Sequence, residues 1–284
     1  MKQAVDNYLT TLPSYARLSI NRCNLPAHVL GSLTFQQHPT PLIIDGVKEF
    51  HADFFERLDK LLNPYVRTEH FMDYMTVFFR LDQLEDVGFN PESRIDRSKA
   101  NYLRLIRGWF FNPDGQEAAV LKGWVESRFG LIPRFHKEPI RKADDDSYRI
   151  YEQERALGLY NTNSLEQQLD LLYSFCQFEL KKRLGDQTHI TLYRGCNQLS
   201  EYESVDIEKL ATKTGSKTIL LNNINSFSSN GERADEFGDY IIKTEAPLEK
   251  IMFFKDLLPN VLQGEDEHIV LGGVYNVEIL SSTI

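Results

Sequence analysis

Apolar residues recur at steps of three and four over residues 47–62 and again over 66–83, and this spacing predicts two amphipathic helices facing one core. The same spacing returns in "RSKANYLRLIRGWFF" (97–111) and "GQEAAVLKGWVESRFG" (115–130). "NPDG" between them is a strong turn signal, so a helix pair is predicted. Trp109 and Trp124 lie on these helices and are expected as core anchors. A further helix is predicted over "SLEQQLDLLYSFCQFELKKRLG" (164–185). Ser164 and Gln167 have the spacing of a capping box, and Gly185 supplies the stop. Leu165, Leu169, Leu172, Cys176 and Leu180 form its apolar stripe.

The segment "PRFHKEPIRKADDDSY" (133–148) interrupts the helical pattern with two prolines, a basic cluster and Asp144, Asp145 and Asp146, and predicts a loop or hinge. The acidic trio lacks the alternating ligands and glycine of a calcium loop, so it reads as solvated. Beyond Gly185 the texture changes. "HITLYRG", "KTILLNN", "INSFSS", "DYIIKTE", "KIMFF", "HIVLGG" and "VYNVEIL" are short β-rich runs separated by turns. They predict a mostly antiparallel sheet. The fold class expected is therefore α+β, with a mainly helical region over residues 1–160 and a β-rich core over 161–284.

Composition narrows the function classes. A chain of 284 residues that is 42% hydrophobic can bury a sizeable core. Its formal net charge of -9 weighs against nucleic acid and anionic membrane as partners, since no phosphate-neutralising surface is concentrated anywhere. No apolar run has the length of a membrane span, and the first residues lack the apolar centre of a secretory signal. Cys23, Cys176 and Cys196 are odd in number and widely spaced, which suits reduced thiols in a cytoplasmic protein. No metal site is expected.

Three features of the β-rich part carry candidate chemistry. Arg194 ends the run "LYRG", and Gly195 after it would let a ligand approach the backbone, an arrangement suited to phosphate or carboxylate. In "NSFSS", a strand puts Ser226 and Ser228 on one face and Phe227 on the other. In "GEDEH", an extended chain gives Glu265 and Glu267 a common face and turns Asp266 away. Two carboxylates so placed repel and can divide roles, although a solvated acidic turn has the same composition. His268, next in the chain, reads as a partly exposed strand residue.

The order Arg, then Ser-x-Ser, then Glu-x-Glu on successive β segments, with the helix-like "GERADEFG" after the serines, resembles the arginine-specific ADP-ribosyltransferases that carry an Arg–Ser–Glu triad. Phe227 stands where those enzymes often have threonine. The likeness extends over nearly the whole chain. "ARLSINRCNLPAHVLGSLTFQ", "YLRLIRGWFF", "GQEAAVLKGWVESRFGLIPRFH", "QLDLLYSFCQFEL" and "NNINSFSSNGERADEFGD" are similar to the dinitrogenase-reductase ADP-ribosyltransferases of nitrogen-fixing bacteria.

The resemblance implies that NAD is a consumed substrate, with no tightly bound cofactor, and that ADP-ribose passes to an arginine of dinitrogenase reductase, the nitrogenase iron protein, reversibly inactivating nitrogenase. It implies Glu267 at the ribose, Glu265 at the incoming arginine, Ser226 orienting Glu267, and Arg194 with Gly195 and Ser228 beside NAD. Arg233 is implied as a second phosphate contact and Phe227 or Phe237 as an aromatic near nicotinamide, with core packing the favoured reading for both phenylalanines. The helical half would recognise the target or cap the NAD cleft, and a nitrogen-signal regulatory protein would be a further partner. An NAD glycohydrolase or a non-catalytic binding module of the same fold are the alternatives. No G-x-G-x-x-G follows a strand, so a Rossmann site is not expected.

Overall fold

The computed structural model describes residues 11–83, 99–160, 162–197, 203–204, 215–258 and 267–281. The first predicted helix is divided at His51, whose backbone (φ -106°, ψ 23°) separates a short turn at Val47–Phe50 from α1 (Ala52–Asp59). Helix α2 (Pro64–Phe79) starts where Asn63 accepts a hydrogen bond from the Tyr65 N–H, with proline at the first helical position, and stops at Arg80 in the left-handed region. The predicted pair appears as α3 (Tyr102–Phe111) and α4 (Gln116–Phe129). Helix α5 (Asp146–Gly158) is an addition the apolar pattern did not reveal. Before it, β1 (Phe135–His136) and β2 (Glu138–Pro139) form a small hairpin inside the predicted loop. Asp145 closes the turn after that hairpin by accepting from the Arg141 and Lys142 N–H groups.

Helix α6 (Ser164–Leu184) is the central helix. Its predicted stripe is buried, and Leu171, Tyr173 and Phe175 are buried as well, so it is covered on more than one side. The predicted capping box does not form. Asn163 is the N-cap residue without a side-chain cap, and the Ser164 hydroxyl instead accepts from the Gln168 amide inside the helix. Phe175 stacks on Phe71 of α2 with ring centroids 4.1 Å apart. Glu179, fully buried, is held by Arg67 of α2 through Nε and Nη2 and by Arg183 one turn on.

Six further strands, all paired antiparallel, make the sheet: β3 (His189–Cys196), β4 (Glu203–Ser204), β5 (Gly215–Ser228), β6 (Tyr240–Pro247), β7 (Ile251–Phe254) and β8 (Glu267–Ser281). Strands β5 and β8 pair from Gly215↔Ile279 to Ser228↔Glu267. Strand β6 joins the far end of β8 at Tyr240↔Ser281 and runs along all of β3, which returns to β5 at Tyr193↔Ser228. These pairings close a ring of four strands. A bulge on β5 sets Asn222 and Asn223 opposite Gly272, a feature that bends the bulged strand. A Cβ on Gly272 would stand 1.6 Å from the Asn222 carbonyl oxygen, so only glycine fits this crossing.

The two long strands are apolar on both faces, which explains runs such as "TILL" and "HIVL". Leu220, Ile224, Ile269 and Leu271 join the large core under the helices, whereas Ile219, Leu221, Phe227 and Val270 fill the inside of the ring with Leu192 and Ile242. The bulge docks onto the helical half. Asn223 donates to the Lys122 and Leu131 carbonyls, and Asn222 accepts from the Arg134 N–H. Among the described residues no helix is long and apolar enough to cross a membrane.

Candidate functional site

The site lies where the helical cover over β5 and β8 runs out. On the helix-facing side, Ile224, Ile269 and Leu271 are buried, and Ser226, Ser228 and Glu267 follow as half-buried positions. Ser228 pairs directly with Glu267, and Ser226 pairs with Ile269. Ser226 and Glu267 are thus diagonal neighbours on one face, with Cβ atoms about 7–8 Å apart or somewhat less, within reach of a long side chain. The expected common face of the two serines is present, with Phe227 on the opposite side.

Two groups fix the serine strand. From β3, Arg194 Nη1 donates to the Ser226 carbonyl at 2.8 Å. From α3, Trp109 Nε1 donates to the Ser226 hydroxyl at 2.8 Å. Trp109 is 3% exposed, as expected for a core anchor, but its polar edge reaches a candidate catalytic residue. Local spacing does not reveal this contact, because the two residues are 117 positions apart. Arg194 shares its side of β3 with Leu192 and Cys196 by strand alternation, and it meets β5 through the backbone.

After β5 the chain turns sharply. Ser228 Oγ accepts from the Asn230 N–H, and Asn230 in turn caps α7 (Gly231–Asp235) by accepting from the Glu232 N–H. Arg233 stands exposed on α7 and pairs with Glu236 at 3.3 Å. At that exposure the pair leaves its guanidinium accessible to an anion.

Gly195 is needed for a close backbone crossing, because a Cβ there would sit 2.1 Å from the Ala234 carbonyl oxygen at the end of α7. Two expectations are corrected. Phe227 is 2% exposed within the core of the ring, so its ring is turned away from the serine face and from any ligand there. His268 is buried, opposite Phe227 in register and stacked near Phe254 with centroids 6.5 Å apart. Glu265 and Asp266 lie outside the described residues, and Glu267 is the first described residue of β8.

A cavity of about 340 Å³ lies elsewhere, between the chain around Asn21 and helices α4 and α5. Arg22, Glu126, Tyr148 and Arg155 are among its lining residues. Burial raises the Glu126 pKa, and its carboxylate accepts from the Tyr148 and Tyr151 hydroxyls. It shares no residue with the strand site.

Arginine, serine and glutamate on β3, β5 and β8, joined at one end of an antiparallel sheet, repeat the order by which the sequence resembles the Arg–Ser–Glu ADP-ribosyltransferases. Comparison with known proteins narrows that class. Residues 20–279 match the family described as dinitrogenase reductase ADP-ribosyltransferase, and the chain belongs to that family. It is 39% identical over 263 residues to the NAD(+)–dinitrogen-reductase ADP-D-ribosyltransferase of Rhodospirillum rubrum, covering 92% of this chain and 94% of that relative. No solved structure matches the chain.

Proposed function

We propose that the protein transfers ADP-ribose from NAD to an arginine of dinitrogenase reductase and so inactivates nitrogenase. The observation that carries the site assignment is the Ser228↔Glu267 pairing, with Ser226 beside it held by Arg194 and Trp109. Cleaving the bond between nicotinamide and ribose builds positive charge on the sugar carbon and ring oxygen, the type of transition state that glycosidases meet with carboxylates. A carboxylate fixed beside that charge favours the transition state over the ground state. Glu267 takes this role, and Ser226 orients it. Arg194, with Ser228 near it, steadies the phosphates or adjacent ribose of NAD as well as the Ser226 carbonyl, and Arg233 supplies a second phosphate contact.

The acceptor needs its own carboxylate. A guanidinium with a pKa above about 12 is not nucleophilic at neutral pH. Glu265 holds it as an ion pair and takes its proton as the new bond forms. The helical half recognises the target or caps the cleft, and a nitrogen-signal protein regulates the enzyme. NAD is consumed with each turnover and is not retained as a tightly bound cofactor. The reaction runs in the cytoplasm, where target and NAD meet. ADP-ribose on a docking arginine replaces a cation with bulk and two phosphates, which a complementary partner surface rejects.

The test incubates labelled NAD and dinitrogenase reductase with wild type, Glu267→Gln and Glu265→Gln. Wild type labels an arginine. Glu267→Gln loses about 10²–10³ in rate for both transfer and nicotinamide release. Glu265→Gln still releases nicotinamide but labels nothing. Transfer at the wild-type rate by Glu267→Gln overturns the assignment.

A further inference from the structure

We infer that Trp109 is a positioning residue for the transfer reaction, fixing Ser226 so that its hydroxyl hydrogen is directed to Glu267; this rests on the roles just given to those two residues. An indole N–H only donates, whereas a hydroxyl has one hydrogen to give and two lone pairs to receive. Trp109 Nε1, 2.8 Å from Ser226 Oγ, occupies a lone pair and leaves the serine hydrogen for another acceptor. The same face of β5 and β8 presents Ile269, which accepts nothing, then Ser228, then Glu267. A carboxylate is the strongest acceptor of these, and its hydrogen bond from a hydroxyl is charge-assisted. The Arg194 clamp on the Ser226 carbonyl holds the backbone while the Trp109 bond selects the side-chain rotamer.

The helix that carries the indole is held at several points. The first turn of α3 is pinned by the Tyr102 N–H donating to Gln168 Oε1 at 2.8 Å. Gly108 lies so close to Glu117 of α4 that a Cβ on it would stand 2.5 Å from that side chain. Phe110 meets Phe253 of β7 edge-on, with centroids 6.0 Å apart. The helical half thereby reaches this face through the Trp109–Ser226 bond, so that a displacement of α3 is felt at the serine that orients the carboxylate.

A merely structural role, in which Ser226 only satisfies a buried indole, makes different predictions. The experiment measures kcat, KM for NAD and the urea midpoint for Trp109→Phe, Ser226→Ala, the double variant and, as a packing control, Phe54→Leu in α1, with dinitrogenase reductase as acceptor. Trp109→Phe is expected to lower kcat roughly five- to tenfold, the worth of about one hydrogen bond, and to leave KM within about twofold. Ser226→Ala costs more, and adding Trp109→Phe to it costs nothing further. Phe54→Leu lowers the midpoint but keeps kcat. An equal loss from Trp109→Phe in both backgrounds, or an unchanged kcat, overturns the inference while leaving the proposed reaction intact. Wild-type kcat in Ser226→Ala overturns instead the role given to the serine.

Discussion

Lys250 is completely buried in the short turn before β7, where its ammonium donates to the Gly272 carbonyl at 2.9 Å and lies 4.6 Å from the Tyr275 ring centroid. Burial lowers its pKa from 10.5 to about 7. Below about pH 7 it is protonated in both folded and unfolded chains, and the fold bears the full cost of burying a cation. Between about 7 and 10.5 the folded chain holds a neutral amine while the unfolded chain still binds the proton, so stability rises with pH across that window. The slope approaches 1.36 kcal/mol per pH unit, and from pH 6 to pH 8 the gain is about 1.4 kcal/mol. Replacing Lys250 with methionine keeps most of the volume and removes the titration. Urea unfolding of wild type and Lys250→Met at pH 6 and pH 8 isolates the term, because other groups cancel in the difference. The variant's stability relative to wild type is expected to fall by about 1.4 kcal/mol between the two pH values. A difference that does not change with pH would mean that the buried ammonium is stabilised as fully as in water, and the reasoning would be refuted.

Two further perturbations follow from the same geometry. Glu179→Ala leaves Arg67, 4% exposed, without its buried carboxylate, and should lower unfolding free energy by about 3–5 kcal/mol with an unchanged urea m value. A loss below about 1 kcal/mol would place that guanidinium in contact with water. Gly195→Ala drives a Cβ into the Ala234 carbonyl oxygen and should cost about 1–3 kcal/mol, displacing α7 and Arg233 with it. Faster amide exchange confined to residues 231–238, together with a raised KM for NAD, is the expected readout; unaltered exchange there would argue against the tight crossing.

What was legible in the sequence follows the physics of each signal. Helices α2, α3, α4 and α6 present core faces at helical spacing, and β5 and β8 carry apolar residues on both faces, so both kinds of element announced themselves. Helix α5 did not, because only Tyr148, Tyr151 and Gly158 are buried along it and the rest of "DSYRIYEQERALG" is polar or exposed. The continuous helix predicted over 47–62 failed at His51, whose ring is held by the Tyr74 hydroxyl of α2 at 2.8 Å, a tertiary contact that local spacing does not encode. The strand serines were legible from period-two alternation. The close crossing at Gly195 was not legible, because a glycine needed for backbone crossing and one needed for a ligand look alike in one dimension. Trp109 was seen as core and missed as a donor because its partner is 117 residues away.

The same contacts bear on what the helical half contributes. Gln36 donates from its side-chain amide to the Thr244 hydroxyl and to the Glu245 and Asn276 carbonyls, and its carbonyl oxygen accepts from the Asn276 N–H. Tyr173 and Gln177 of α6 satisfy the Glu249, Leu248 and Ile251 carbonyls, and Thr68 of α2 satisfies that of Leu257. The Leu248, Glu249, Ile251 and Leu257 carbonyls lie in the turns flanking β7 or at its first residue, and a buried carbonyl left without a donor costs about 1–3 kcal/mol. Side chains from residues 36 to 177 therefore complete hydrogen bonding that β6, β7 and β8 begin. Trp109 belongs to the same set but ends on a hydroxyl at the candidate site. A displacement of α3 therefore reaches Ser226 by a hydrogen bond already in place.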